Sequence, residues 1–376
     1  MEKKTIFIFD AEPGMILASD VIAQDGSLIV ANGTKLDMDS IAKLSDYHIL
    51  EIDVEDRPVE PEQEEYVGIE EIFTSSAPAE EPTYYDKIRE TAEFKEFCED
   101  YELDVNELKN SLNDIVKRNS PVNEAELLAH TMSIVDKHNN TLQLFDMLHS
   151  LRQFDDQTFA HSINVALISS IIGQWLHFSR EDIKVLTLSG LLHDIGKLDI
   201  PDEVLNKPGK LSPEEFDIIK SHVKIGYEYL KNQPIDNRIK EACLMHHEKC
   251  DGSGYPFGVK SDKIPVFAKI ISIADVYDAM TAARVYRKGL CPFTVIHEME
   301  NQCFSSLDPK YAIPFLKNVI SSYIHTNVTL SDGRVGEVVL INDRALSKPS
   351  VICNGEFIDL SKTSLTIESI LYVFSS

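Results

Sequence analysis

The chain has 376 residues, of which 43% are hydrophobic, and a formal net charge of −26. This length predicts two or three folding units, and the hydrophobic fraction excludes general disorder. The acidic balance argues against binding to a nucleic-acid polymer, which needs clustered Lys and Arg, and no apolar run is long enough for a membrane span. The absence of a signal peptide and of CxxC pairs among six cysteines predicts reduced thiols and a cytoplasmic location.

The first two segments differ sharply in composition. Residues 1–55 alternate β-rich runs with glycines and include one amphipathic stretch, which predicts a small α/β module. Residues 56–84 are rich in Glu and Pro and predict an acidic linker. The N-terminal module is a candidate contact for a homodimer or for a signalling partner.

The remaining chain changes from helical to β-rich periodicity. Residues 85–320 repeat apolar positions with a helical period and predict an all-helical domain. Residues 321–376 contain Asp332-Gly333 and Asn354-Gly355, which are strong hairpin signals and predict a β-rich appendage. The expected fold class is therefore mainly α, with a helical-bundle core, a small N-terminal α/β module and a small C-terminal β-rich appendage.

Histidines and aspartates interrupt several apolar helical stretches of the predicted helical domain. Buried polar side chains cost free energy unless they are satisfied, so a set of them on separate helices predicts a shared metal centre. Imidazole and carboxylate without thiolate suit iron, manganese or zinc, and seven ligands suit two octahedral ions bridged by a carboxylate. Asp194 is the predicted bridge. The candidate ligands are His161, His193, Asp194, His222, His246, His247 and Asp275.

Two divalent ions about 3.5–4 Å apart favour phosphoester hydrolysis, because they activate water and neutralise charge on the phosphate. Lys197 follows His193 by one helical turn and is placed to hold the phosphate or to protonate the leaving oxygen. Arg284 and Arg287 are one turn apart, a spacing that lets two guanidinium groups hold a phosphate. The glycine-rich segment CDGSGYP predicts a loop over the ions that presents Tyr255 to a planar group.

These motifs resemble a known family. His193-Asp194, with His161 upstream and Asp275 downstream, resembles the HD superfamily of metal-dependent phosphohydrolases, and HHEKCDGSGYP with His222 resembles its HD-GYP subfamily. The resemblance covers roughly residues 145–305. Members are bacterial phosphodiesterases that cleave cyclic di-GMP with a helical bundle around two or three iron or manganese ions.

The resemblance implies roles for individual residues. The seven candidate ligands match the family's metal ligands, with Asp194 as the bridge, and Lys197 matches a lysine near the scissile phosphate. Arg284 and Arg287 match basic positions that hold the phosphates of the substrate. The GYP triplet corresponds to Gly254, Tyr255 and Pro256.

Two departures from the family pattern bear on the number of metals and on local ion pairs. Members with three metals have a glutamate where this chain has Gln157, so two ions are expected, with iron or manganese favoured over zinc, nickel, cobalt and magnesium. Ala283 stands where members commonly have aspartate.

The resemblance implies an enzyme that opens cyclic di-GMP to pGpG, and it leaves open whether pGpG or GMP is the end product. One alternative is hydrolysis of another cyclic dinucleotide, such as cyclic GMP-AMP. The other is a receptor that binds the nucleotide without cleaving it.

Overall fold

The computed structural model describes residues 3–7, 11, 14–22, 28–36, 40, 44, 51–55, 84–137, 141–151, 157–207, 211–281, 291–303 and 305–371. The chain divides into two compact units, Met1–Ala79 and Glu80–Ser376. Among the helices in these ranges, none combines the length and the apolar character needed to cross a membrane.

The first unit contains two antiparallel strand pairs. The strands are β1 (Lys3–Phe7), β2 (Val21–Ile22), β3 (Leu28–Val30) and β4 (Glu51–Glu55), and β1 pairs with β4 while β2 pairs with β3. Apolar side chains from the strands and the loops between them form a small core. Most of the predicted amphipathic stretch lies outside the described residues, as does the linker up to residue 83. The core includes Ile6, Leu17, Leu36, Leu44, Ile52 and Val54.

The second unit is mainly helical. Its central helices α5, α6 and α11 pack against one another around the predicted site. Helix α5 is apolar around most of its circumference, as expected for a helix surrounded by others. In chain order, the α-helices are α1 (Tyr84–Glu90), α2 (Ala92–Arg118), α3 (Glu124–Lys137), α4 (Thr141–Ser150), α5 (Gln157–Trp175), α6 (Arg180–Leu192), α7 (Asp202–Leu205), α8 (Pro213–Lys220), α9 (His222–Leu230), α10 (Asn237–Met245), α11 (Val266–Thr281), α12 (Pro292–Gln302) and α13 (Pro309–Ser321).

The His193-Asp194 pair lies at the end of α6 and not inside a helix. Helix α6 ends at Leu192, and a 3₁₀ helix over Ile195–Asp199 carries Lys197. Gly196 lets this turn pack directly on the start of α9, because a Cβ atom there would lie 2.0 Å from the carbonyl oxygen of His222. The expectation that Lys197 follows His193 on one continuous helix is therefore wrong, although the turn still brings Lys197 to the site.

The chain continues into a five-stranded antiparallel sheet of order β8-β7-β6-β5-β9. Gly333 (φ 81°) lies in the first hairpin turn, and Asn354 (φ 50°) with Gly355 (φ 82°) forms the second, as the two hairpin signals predicted. The buried face of the sheet belongs to the same apolar core as the helices. The predicted mainly α fold class is confirmed. The strands are β5 (Asn327–Leu330), β6 (Val335–Leu340), β7 (Ser350–Cys353), β8 (Glu356–Asp359) and β9 (Ile367–Leu371).

Candidate metal centre

The structure brings all seven predicted ligands together in the second unit. They come from α5, the end of α6, the start of α9, the end of α10 and α11. Within each of two groups the potential ligand atoms lie within 4.8 Å of one another. We call them group A and group B. Group A is His161, His193 and Asp275, and group B is Asp194, His222, His246 and His247.

Each of the two carboxylates belongs to one group and faces histidines of both. Asp194 directs Oδ2 toward group A, 3.1 Å from Nε2 of His193, and Oδ1 toward group B, 3.2 Å from Nε2 of His222. Asp275 places Oδ1 3.1 Å from Nε2 of His161 and Oδ2 3.8 Å from Nδ1 of His247. A carboxylate that faces both groups has the position that a bridging ligand needs.

Backbone carbonyl groups determine the tautomers of three histidines. Nδ1 of His193 lies 2.7 Å from the oxygen of Gly190, Nδ1 of His222 lies 2.6 Å from that of Ile219, and Nδ1 of His246 lies 2.9 Å from that of residue 243. A carbonyl oxygen only accepts hydrogen bonds, so each Nδ1 carries the proton. When such a ring is neutral, as metal binding requires, its Nε2 atom keeps the lone pair and faces Asp194.

The polar atoms at the centre of the site fit divalent metal ions. Nε2 of His193, His222 and His246 and Oδ1 of Asp194 are buried and have no hydrogen-bond partner among the described residues. Each unsatisfied buried polar atom costs about 1–3 kcal/mol. Ions bound by imidazole nitrogen and carboxylate oxygen would remove that cost, and this donor set is the one that transition-metal ions accept.

The ionisation states also suit metal binding. Burial lowers the pKa of His246 to about 4 and holds the pKa of His247 well below its ordinary value, so both rings are neutral near pH 7. Burial alone would raise the pKa of Asp194, but His193 and Lys197 outweigh it and hold that pKa well below the usual range. The carboxylate is therefore ionised.

His161 differs from these histidines. Burial acts to lower its pKa, but hydrogen bonds to Asp275 and Asp278 outweigh burial and raise the pKa to about 10. Asp278 accepts from Nδ1 of His161 over 2.7 Å and was not predicted from the sequence. Its position three residues after Asp275, on the same face of α11, was the available signal. Such a carboxylate fixes the orientation of a metal-binding imidazole.

The GYP segment forms a loop beside group B. The Tyr255 ring stacks on the His247 ring at 4.8 Å between centroids, and the Tyr255 N–H donates to the carbonyl oxygen of His247 over 3.1 Å. Gly254 is required by close packing, since a Cβ atom there would lie 2.3 Å from the backbone nitrogen of Lys249. The buried carboxylate of Glu248, which sequence reasoning missed, accepts from the N–H groups of Phe257 (2.6 Å) and residue 259 (3.0 Å).

A cavity of about 290 Å³ lies next to the loop. Lys220 forms an ion pair with Asp217 at 2.5 Å, whereas Lys224 is exposed and makes no ion pair with another described residue. Tyr255 belongs both to this cavity and to the wall of group B. The cavity is lined by Asp217, Lys220, Ser221, Lys224, Tyr255 and Pro256.

Four residues singled out from the sequence lie wholly or in part outside what the structure describes. Arg284 and Arg287, the expected phosphate ligands, and Ala283, one of the two departures from the family pattern, belong to the stretch 282–290, which lies outside the described residues. Gln157 is the first residue of α5, and its side chain is also outside them.

Curated relatives match large parts of this chain. A cyclic di-GMP phosphodiesterase of Pseudomonas aeruginosa is 34% identical over 242 residues, which are 62% of this chain and 58% of the relative. A cyclic di-GMP phosphodiesterase of Thermotoga maritima is 38% identical over 178 residues, 47% of this chain and 48% of the relative. A 3′3′-cGAMP-specific phosphodiesterase of Vibrio cholerae is 39% identical over 145 residues, 39% of this chain and 34% of the relative. The chain thus spans about half the length of the first relatives.

A family profile matches the part of the chain that holds the site. The profile of the HD domain covers residues 124–311, half of the chain, and all seven clustered residues fall inside it. Proteins with this domain bind divalent metal ions, in agreement with the buried His/Asp cluster. The chain belongs to the HD domain family and, by its His246-His247 pair and GYP loop, to the HD-GYP group within it.

Proposed function

We propose that this chain is a metal-dependent phosphodiesterase that hydrolyses cyclic di-GMP to pGpG and can continue to GMP. The observation that carries the proposal is the division of the seven residues into two groups, with Asp194 of group B facing histidines of both groups. Relatives named as cyclic di-GMP phosphodiesterases support the choice of substrate. We further propose that groups A and B each hold one ion, iron or manganese, with Asp194 shared between them.

When bound, the two ions would lower the pKa of water and neutralise charge on the phosphate. Residues of the chain orient the proposed ligands and supply a proton donor. The carbonyl oxygens behind His193, His222 and His246 orient the rings, and their burial excludes bulk water. Lys197 lies at the rim, with 23% of its side chain exposed, and can donate to the departing 3′ oxygen of the substrate.

The cavity beside the GYP loop is proposed to take the part of the substrate that is not cleaved. A cyclic dinucleotide has two phosphates, and only one can lie at the metal centre at a time. Lys220 and Lys224 supply positive charge for the second phosphate, and Tyr255 supplies an aromatic face for a base. Arg284 and Arg287 are proposed to hold phosphates as well.

Anaerobic purification, elemental analysis and a turnover assay test the proposal. The chain should contain about two Fe or Mn ions and convert cyclic di-GMP to pGpG, and Asp194→Ala should do neither. Full turnover by Asp194→Ala, or turnover by wild-type chain without metal, would contradict it.

A second candidate substrate is cyclic GMP-AMP, because three relatives from Vibrio cholerae are named as specific for it. Parallel assays with both cyclic dinucleotides decide between them through the ratio of kcat/KM values. Binding of either nucleotide without hydrolysis, in the presence of Fe(II) and Mn(II), would instead identify a receptor.

A further inference from the structure

A line of hydrogen bonds through two buried and two half-buried side chains connects α2 to His161. The hydroxyl of Tyr101 donates to Oδ1 of Asn164 over 2.7 Å, and Nδ2 of Asn164 donates to Oδ1 of Asp278 over 2.8 Å. Oδ2 of Asp278 accepts from Nδ1 of His161 over 2.7 Å. The four side chains come from three helices, α2, α5 and α11.

The direction of every bond in this line is determined. Asn164 turns its NH₂ group toward Asp278, so its oxygen faces Tyr101 and can only accept. Tyr101 must then donate, with the carbonyl oxygen of Ala160 as a second acceptor at 2.9 Å. His161 must donate from Nδ1, which leaves Nε2 to face Asp194 and Asp275.

His161 is held differently from the three other histidines of the cluster whose Nδ1 hydrogen bonds are described. Nδ1 of His193, His222 and His246 bonds to a carbonyl oxygen three residues earlier, so the local helix fixes each ring. His161 depends on a side chain of another helix. Tyr101 is fully buried and Asp278 is 5% exposed, whereas Asn164 and His161 are half-buried.

We propose that Tyr101 is a positioning residue, which acts through Asn164 and Asp278 to aim the His161 imidazole at the group A ion. The packing of α2 against α5 would thereby set the metal affinity of group A. Tyr101 precedes the segment that matches the HD domain, residues 124–311. The inference rests on the proposed ion sites. It goes beyond them because it assigns a role in metal affinity to a residue outside the matched segment.

Titration of the metal-free full chain with Co(II), followed by visible absorption, tests the inference without a turnover assay. We expect two binding steps in the wild type. Tyr101→Phe should weaken one step about 3- to 10-fold, the value of one lost hydrogen bond, and leave the other unchanged. Asp278→Asn should weaken the same step about 10- to 100-fold. Tyr323→Phe, which also removes a buried phenol hydroxyl, should change neither step.

Further measurements separate this inference from the proposed function. At saturating metal, Tyr101→Phe should recover the wild-type kcat, because the variant loses affinity and no reacting group. Asn164→Ala breaks the line without altering α2 and should reproduce the effect. Identical titrations of wild type, Tyr101→Phe and Asn164→Ala, or equal weakening of both steps, would overturn the inference while two-ion binding keeps the proposed function. A wild type that binds no ion would overturn both.

Discussion

The Nζ atom of Lys197 lies 2.5 Å from Oδ2 of Asp194, the oxygen that also faces His161 and His193. This contact places one ammonium group beside the carboxylate proposed to join the two ions. Lys197→Gln should lower kcat for cyclic di-GMP about 10²- to 10⁴-fold, the usual contribution of a general acid, with little change in bound metal. Steady-state kinetics with elemental analysis measures both. An unchanged kcat would remove Lys197 from the reaction.

The division into groups A and B predicts different metal losses for different variants. His193→Ala should retain the ion of group B, because it removes a ligand from group A alone. His222→Ala removes a ligand from group B alone and should retain the ion of group A. Asp194→Ala should retain neither ion, since both groups face its carboxylate. Metal stoichiometry after anaerobic reconstitution checks this order. Loss of both ions in all three variants would contradict separate sites.

The lysines of the 290 Å³ cavity should affect substrate binding more than chemistry. Lys224→Gln should raise KM for cyclic di-GMP about 3- to 10-fold at low salt and leave kcat nearly unchanged, as expected for loss of one exposed phosphate contact. Lys224 lies on α9, and Lys231 is an exposed lysine just after the end of that helix. Lys231→Gln is therefore the matched control. Equal KM values for Lys224→Gln and wild type would exclude the cavity as a phosphate site.

A buried carboxylate away from the site should make folding depend on pH. Asp104 accepts from Oγ1 of Thr131 over 2.7 Å, and burial raises the pKa of Asp104 to about 7. As pH rises from about 4 to about 7, the unfolded chain has released this proton while the folded chain retains it, so the free energy of unfolding falls. The loss is on the order of 1.4 kcal/mol for each unit of pKa difference.

Asp104→Asn should abolish this dependence, because the amide has no proton to release in that range. Urea denaturation of both proteins at pH 5 and pH 8 measures the effect. The wild type should lose more stability than the variant between the two values, and equal losses would show that Asp104 ionises normally in the folded chain.

The sequence was most informative where chemistry and spacing coincide. Seven titratable residues in apolar surroundings indicated one centre, and the two Asx-Gly pairs indicated hairpins, because few residues adopt a positive φ. Their roles as ligands stay predictions, and the phosphate contacts of Arg284 and Arg287 stay untested. The break after Leu192 was missed because Gly196 is explained only by the close approach of His222 in space.

Residues that support the cluster were harder to predict. Tyr101 and Asn164 look like ordinary members of helices, and their role depends on the distance between α2, α5 and α11. Glu248 stands between a histidine pair and a lysine, where a solvent-exposed charge is the natural expectation. Its burial follows from the loop that folds back over it, which no local pattern encodes.

The C-terminal sheet shares one apolar core with the helical bundle, and the Glu300 carboxylate of α12 accepts from the N–H groups of Leu346 and Ser347. Removal of the chain after α13 would therefore expose the apolar surface of the bundle that Val328, Leu330 and their neighbours now cover. A chain shortened in this way should aggregate or be degraded, so the residues after α13 are needed for the stability of the bundle that holds the candidate metal centre.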